Sequence, residues 1–169
     1  MQTPGSADES ELTAPVLLLG LGNPLMSDDG AGQELLAQLE SEDPEWGRQV
    51  EFLDGGTQGL ALLGRFEGRK AVVFLDAVRL GDKPGAVHVL QGKELARMGG
   101  RGVTAHEGSA PQILAALQLL DELPQEVAVV GVEPERVATG IGLSPSVRAG
   151  LADAATVARR TVSRILSAI

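Results

Sequence analysis

The sequence contains no cysteine, which excludes disulfides, thiolate metal sites and a cysteine nucleophile. Aromatic residues make up only 2% of the 169 residues, so the core has to be built from leucine, valine, isoleucine and alanine. Hydrophobic residues nevertheless total 43%, which is enough for a packed core at this length. The composition therefore predicts a single globular domain.

Basic residues are also scarce, with 14 Lys and Arg against 23 Asp and Glu and a net charge of −9. This acidity argues against nucleic acid or an anionic membrane as the main partner. No apolar run approaches the roughly 20 residues of a membrane span, and the N-terminal residues lack the basic and apolar blocks of a signal peptide. We expect a flexible acidic tail over residues 1–13, one domain over residues 14–169, and a cytoplasmic location.

A glycine-rich stretch, Gly20 to Gly32, lies between an apolar run at residues 16–19 and a helical pattern of leucines at residues 35–39. This order is typical of a buried strand that runs through a turn into a helix. The turn carries Asp28 and Asp29 but no lysine or arginine, so it favours a cation or a polar substrate. A nucleotide-binding turn is disfavoured, because a pyrophosphate would need the opposite charge.

Five apolar runs predict strands, and the segments between them have helical spacing. The predicted strands cover residues 15–20, 49–53, 70–76, 86–90 and 126–132, and the predicted helices cover residues 29–40, 60–66 and 94–98 and begin at Ser109 and Ser144. This alternation predicts a three-layer α/β domain. The link at residues 79–85 is too short for a parallel crossover, so we expect strand four to run antiparallel in an otherwise parallel sheet.

Acidic side chains stand at the ends of three predicted strands: Asp28 with Asp29, then Asp54, then Asp76. His106 follows in a glycine-rich loop that precedes a helix. Loops after parallel strands gather at one edge of an open α/β sheet, so these groups are expected to converge. Two carboxylates and an imidazole could bind a divalent transition metal with positions left open, or they could act as acid and base.

Each of these residues also has a purely structural interpretation. Asp28 and Asp29 suit a helix start, Asp54 suits a turn before two glycines, and His106 could be a surface histidine. Asp76 is harder to explain structurally, because a carboxylate at the end of a buried apolar run needs a partner. We expect structural roles for the remaining candidates. His88 lies on a predicted edge strand. Ser27, Thr104 and Ser109 are expected to be helix caps, since none of these hydroxyls lies in a nucleophile-elbow pattern.

Six blocks, taken together and in this order, resemble the hydrogenase maturation endopeptidases. They are Gly-Leu-Gly-Asn-Pro-Leu-Met-Ser-Asp-Asp-Gly-Ala-Gly at residues 20–32, Asp-Gly-Gly-Thr-Gln-Gly at 54–59, Leu-Asp-Ala at 75–77, Ala-His-Glu at 105–107, Gly-Val-Glu-Pro-Glu at 131–135 and Gly-Leu-Ser-Pro-Ser-Val at 142–147. The resemblance spans residue 16 to the C-terminal helix. It implies a phosphorylase/hydrolase-like fold with a twisted, mixed five-stranded sheet between helices.

The resemblance also implies an activity. Such enzymes remove a C-terminal extension from the precursor of the [NiFe]-hydrogenase large subunit after nickel insertion. The family's nickel-contacting residues fall on Asp29, Asp76 and His106, which we expect to contact nickel carried by the substrate, in a site that is labile and could take another divalent metal. Asp29 stands where some members have glutamate, and Asp54 is a candidate for catalysis or positioning. Within the acid pair, we expect Asp29 to be the ligand and Asp28 to support either the helix start or the residues that contact the metal. We expect the protein to be a monomer.

Other functions are consistent with parts of the pattern. The opening Gly-Leu-Gly-Asn-Pro also resembles peptidyl-tRNA hydrolases, but their Arg-His-Asn signature is missing and the charge is wrong for a tRNA binder. A metal-dependent chaperone or sensor on the same fold would bind the nickel-loaded precursor without shortening it.

Overall fold

The computed structural model describes residues 13–42, 45–98 and 108–169. Its strands are β1 (Val16–Leu21), β2 (Val50–Gly56), β3 (Ala71–Ala77), β4 (Val87–Gln91) and β5 (Glu126–Val132), and its α-helices are α1 (Ala31–Ser41), α2 (Lys93–Met98), α3 (Ala110–Leu119) and α4 (Pro145–Ala168). Short 3₁₀ helices cover Ser27–Gly30, Gly47–Gln49 and Gly59–Phe66. The predicted strands are confirmed to within a few residues. The segment after Gly59, predicted as helical from its leucine spacing, is a 3₁₀ helix.

The five strands form one sheet in the order β2-β1-β3-β5-β4. Four of them are parallel, and β4 pairs antiparallel with β5 at the edge of the sheet. The prediction from the short link is thus confirmed. The buried carboxylate of Glu133 holds this link in place, because it accepts hydrogen bonds from the backbone N–H groups of Leu80 (2.7 Å) and Gly81 (3.3 Å).

The sheet separates two hydrophobic clusters, as alternation along each strand requires. Val16 and Leu18 face the cluster that contains α1 and α4. Leu17 and Leu19 face the other cluster, which includes the 3₁₀ helix at Gly59–Phe66 and α3. The three-layer α/β/α architecture is therefore confirmed. The spacing of apolar residues after Ser144 predicts one buried side of α4, and all of its residues are buried: Val147, Leu151, Ala154, Ala158, Val162 and Ile165.

One detail differs from the expectations, and another lies outside the described residues. The helical spacing after Ser109 predicts an apolar side made of Ile113, Leu114, Leu117 and Leu120, but Leu120 lies just beyond the end of α3 and is 52% exposed. The predicted tail, residues 1–13, lies outside the described residues except for Thr13, so its boundary stays a prediction. No helix within the described ranges is long and apolar enough to cross a membrane.

Candidate active site

The glycines of the first turn allow α1 to pack directly onto the carboxyl ends of the central strands. A Cβ atom on Gly32 would lie 2.2 Å from the carbonyl oxygen of Leu75 and 2.5 Å from that of Leu21. A Cβ on Gly22, whose φ is +130°, would lie 1.9 Å from the carbonyl oxygen of Asp29. Only glycine permits these approaches, and they bring the acid pair over the ends of β1 and β3.

Asp29 lies in the 3₁₀ helix that precedes α1 and is only partly buried. Its Oδ2 atom accepts a hydrogen bond of 2.9 Å from the backbone N–H of Asn23. This bond fixes the carboxylate against its own turn while leaving other lone pairs for a ligand.

Asp76, near the end of β3, is buried, with 5% of its surface exposed. Its Oδ2 atom accepts a hydrogen bond of 3.2 Å from the backbone N–H of Ala110, the first residue of α3. Burial, joined by the negative charge of Asp29, raises the pKa of Asp76 to about 7, although backbone hydrogen bonds from Ala110 and Ala77 act in the opposite direction. The convergence of Asp29 and Asp76 predicted from the sequence is therefore observed.

These two carboxylates face a small cleft at the carboxyl edge of the sheet. Its other lining residues are mostly small: Gly22, Gly56, Thr57, Ala77, Gly108 and Ser109. The segments after β2 and before α3 meet here, since a Cβ on Gly108 would lie 3.1 Å from the carbonyl oxygen of Thr57. Much of the cleft wall is therefore backbone, which lets an extended chain approach the carboxylates closely.

Asp54 differs from its predicted setting. It was expected in a loop beyond the second strand, but β2 continues to Gly56, and Asp54 is exposed. Its Oδ1 atom accepts hydrogen bonds from the Gln33 side chain (2.7 Å) and from the backbone N–H of Gly56 (3.0 Å). The strand extends because β1 pairs with it as far as Gly56, with a shift in register after Asp54. Asp54 thus supports the wall of the cleft but is not among its lining residues.

His106 and Thr104 lie outside the described residues. Their predicted roles, as ligand and as cap, therefore stay predictions. Within the described ranges, no three histidine, aspartate or glutamate residues form a group that could hold a metal ion.

Asp28 has a role that sequence reasoning did not find. It is fully buried, and its carboxylate accepts four hydrogen bonds from the far end of the chain. The donors are the backbone N–H groups of Glu135 (3.0 Å), Arg136 (2.9 Å) and Ser144 (2.7 Å) and the Ser144 hydroxyl (2.9 Å). Burial alone would raise the pKa of Asp28, but these hydrogen bonds outweigh it and lower the pKa below its ordinary value. Asp28 therefore does more than support the start of α1: it ties the first loop to residues 135–144.

Two serines near helix starts likewise bond to distant parts of the chain and do not cap their helices. Ser144 precedes α4 as predicted, but its hydroxyl donates to Asp28 and makes no capping bond. Ser27 is not a helix cap, because its hydroxyl donates to the carbonyl oxygen of Ala138 (2.9 Å). Ser109 occupies the N-cap position of α3. His88 lies on the edge strand β4, 3.0 Å from the carboxylate of Asp82.

Comparison with known proteins identifies the family. The family model described as hydrogenase maturation protease matches residues 32–161, more than half of the chain. The chain belongs to the hydrogenase maturation proteases. Such proteases are peptide hydrolases, which makes this chain an enzyme.

Individual relatives of this maturation protease agree. The hydrogenase 2 maturation protease of Escherichia coli K12 is 34% identical over 137 residues, covering 79% of this chain and 82% of the relative. The structure of the hydrogenase maturating endopeptidase HybD from E. coli superimposes with a TM-score of 0.76 at 31% identity, covering 88% of this chain and 92% of that one. The HybD protease from Thermococcus kodakarensis gives a TM-score of 0.67 at 29% identity, covering 86% and 97%.

Proposed function

We propose that this protease removes the C-terminal extension of a [NiFe]-hydrogenase large-subunit precursor, and that it recognises nickel already bound to that precursor. The observation that carries the proposal is the pair of carboxylates, Asp29 and Asp76, in a cleft whose walls are largely backbone. The relatives are proteases of hydrogenase maturation by their names, which supports the same substrate class here.

The charge of the cleft favours a cation. The negative charge of Asp29 contributes to the raised pKa of Asp76, so the two carboxylates repel each other. A divalent metal bound between them would relieve that repulsion. Carboxylate oxygens and an imidazole can bind nickel but hold it less firmly than thiolates would. The chain has no cysteine. In the proposal, the firm ligands therefore belong to the substrate, and Asp29, Asp76 and His106 complete the contact.

His106 is assigned as the third contact to nickel because it stands two residues before Gly108, which lines the cleft. Asp54 is assigned a positioning role, because its carboxylate holds Gln33 and Gly56 at the side of the cleft. The same proposal includes that the protease is a monomer and acts in the cytoplasm. Size-exclusion chromatography with light scattering tests the oligomeric state.

The direct test incubates the protease with large-subunit precursors, loaded with nickel or nickel-free, and measures product mass. We expect shortening of the loaded precursor only. Asp29→Asn and Asp76→Asn should each slow it at least about a hundredfold, whereas the matched control Asp153→Asn, on an exposed position of α4, should process at the wild-type rate.

Two results would contradict different parts of the proposal. Equal processing of nickel-loaded and nickel-free precursor would overturn metal recognition and leave the peptidase, with the two carboxylates as acid and base. Binding of loaded precursor without any change in its mass would favour the chaperone or sensor instead.

A further inference from the structure

Two loops beside the cleft expose apolar side chains that a folded protein would ordinarily bury. Leu25, in the first loop, is 59% exposed, and Ile141, in the loop before α4, is 88% exposed. Val137, on the same later loop, is 36% exposed. We name these three side chains the apolar rim. Single exposed apolar residues are common, but several on adjoining loops beside a functional cleft indicate a contact surface.

The two loops are joined by backbone hydrogen bonds. The N–H of Gly140 donates to the carbonyl oxygen of Leu25 (2.9 Å), and the N–H of Ser27 donates to the carbonyl oxygen of Gly140 (2.8 Å). Met26 and Gly140 form a parallel β-bridge. The buried carboxylate of Asp28 adds the four hydrogen bonds described above. The rim is thus held in a defined conformation, so binding to it costs little ordering of the protease.

The rim is continuous with the cleft. The side-chain oxygen of Asn23 accepts a hydrogen bond from the N–H of Leu25 (3.0 Å), and the N–H of Asn23 donates to Asp29 (2.9 Å). One residue therefore connects the rim to a cleft carboxylate. A polypeptide bound beside Asp29 is therefore next to the loop that carries Leu25, and the loop that carries Ile141 is bonded to that loop through Gly140.

We propose that the apolar rim docks an apolar segment of the large-subunit precursor and so places the peptide to be cut in the cleft. This inference rests on the proposed function, because the occupant is the substrate of the same site. Continuity with the cleft selects this occupant, since a polypeptide in the cleft must leave it across an adjoining surface. The role of the rim is affinity: it contacts the substrate away from the reacting bond and takes no part in the chemistry.

The test compares Leu25→Ser and Ile141→Ser with Leu119→Ser as the matched control. Leu119 is 88% exposed, as Ile141 is, but it lies at the far end of α3 from Ala110, which bonds to Asp76 in the cleft. Processing rates are measured over a range of concentrations of nickel-loaded precursor. Removing one apolar contact should raise KM roughly tenfold in each rim variant while kcat is unchanged. Leu119→Ser should match the wild type.

Direct binding separates this inference from the proposed function. Affinity for the intact precursor is measured with Asp76→Asn alone and with Asp76→Asn combined with Ile141→Ser, so that no cutting intervenes. A tenfold weaker Kd in the double variant supports the rim even if the wild type cuts no precursor tested. If the rim variants keep the wild-type KM and Kd, or if Leu119→Ser loses as much affinity as they do, the proposal that the rim docks the precursor is wrong. The protease function would then still stand.

Discussion

Replacing Asp28 by asparagine changes one acceptor oxygen into an amide donor at a fully buried side chain. The best orientation keeps the amide oxygen at the Oδ2 position, where Glu135, Arg136 and the Ser144 hydroxyl donate. The NH₂ group then faces the backbone N–H of Ser144, which loses its acceptor. The Ser144 N–H and the NH₂ group that faces it then both lack an acceptor in this contact, which costs about 1–3 kcal/mol each, and the three remaining bonds weaken without the charge. The variant no longer buries a charge, which offsets part of this loss, so we expect a net loss of about 2–4 kcal/mol in the free energy of unfolding.

Urea unfolding followed by circular dichroism and by the fluorescence of Trp46 measures this loss. Trp46 is the single tryptophan, and it is buried and stacked on Phe52 at 6.0 Å. Asp29→Asn is the matched control, because it alters the neighbouring carboxylate, keeps an acceptor for Asn23 and removes repulsion with Asp76. We expect its free energy of unfolding to stay within about 1 kcal/mol of the wild type. The reasoning fails if Asp28→Asn is as stable as the wild type or if Asp29→Asn loses as much.

Two further predictions concern the frame around the site. Gly32→Ala should lower the free energy of unfolding in urea by at least about 3 kcal/mol, because its Cβ would meet two backbone carbonyls. The control Gly64→Ala, with nothing within 4 Å of its Cβ, should lower it hardly at all. Equal stabilities of the two variants would contradict the close packing of Gly32 against those carbonyls. Glu51 is partly buried, which raises its pKa, but hydrogen bonds and ion pairs with Arg69 and Arg65 lower it below the ordinary 4.5. Its stabilisation is therefore complete above pH 4.5 and lost as the pH falls through the folded-state pKa, so the difference in unfolding free energy between wild type and Glu51→Gln should shrink in acid; a constant difference from pH 7 to 3 would refute it.

The arrangement of the strands was predictable because it depends on local signals. Apolar runs such as the one at residues 71–75 mark buried strands, and the short link after β3 excludes a parallel crossover. The meeting of Asp29 and Asp76 followed from the rule that loops after parallel strands share an edge.

The partners of Asp28 could not be predicted in the same way. Its donors lie 107 to 116 residues later in the chain, and nothing in a local pattern pairs an aspartate with the backbone of one particular loop. The exposed Ile141 and the extension of β2 through Asp54 were missed for a related reason, because both depend on how neighbouring segments end in three dimensions. Spacing predicted that Asp29 and Asp76 approach each other but not which residues hold the site together.

The contacts of Asp28 also determine when the site can form during synthesis. The first loop emerges from the ribosome early, yet the groups that fix its buried carboxylate reach as far as Ser144, immediately before α4. Until that segment has emerged, the carboxylate of Asp28 lacks its donors, and the loop that carries Asp29 is not tied to residues 135–144. A nascent chain that already contains β1 to β4 therefore lacks a finished cleft. The protease becomes competent only when the loop at residues 135–144, which precedes α4, has bonded to the first loop.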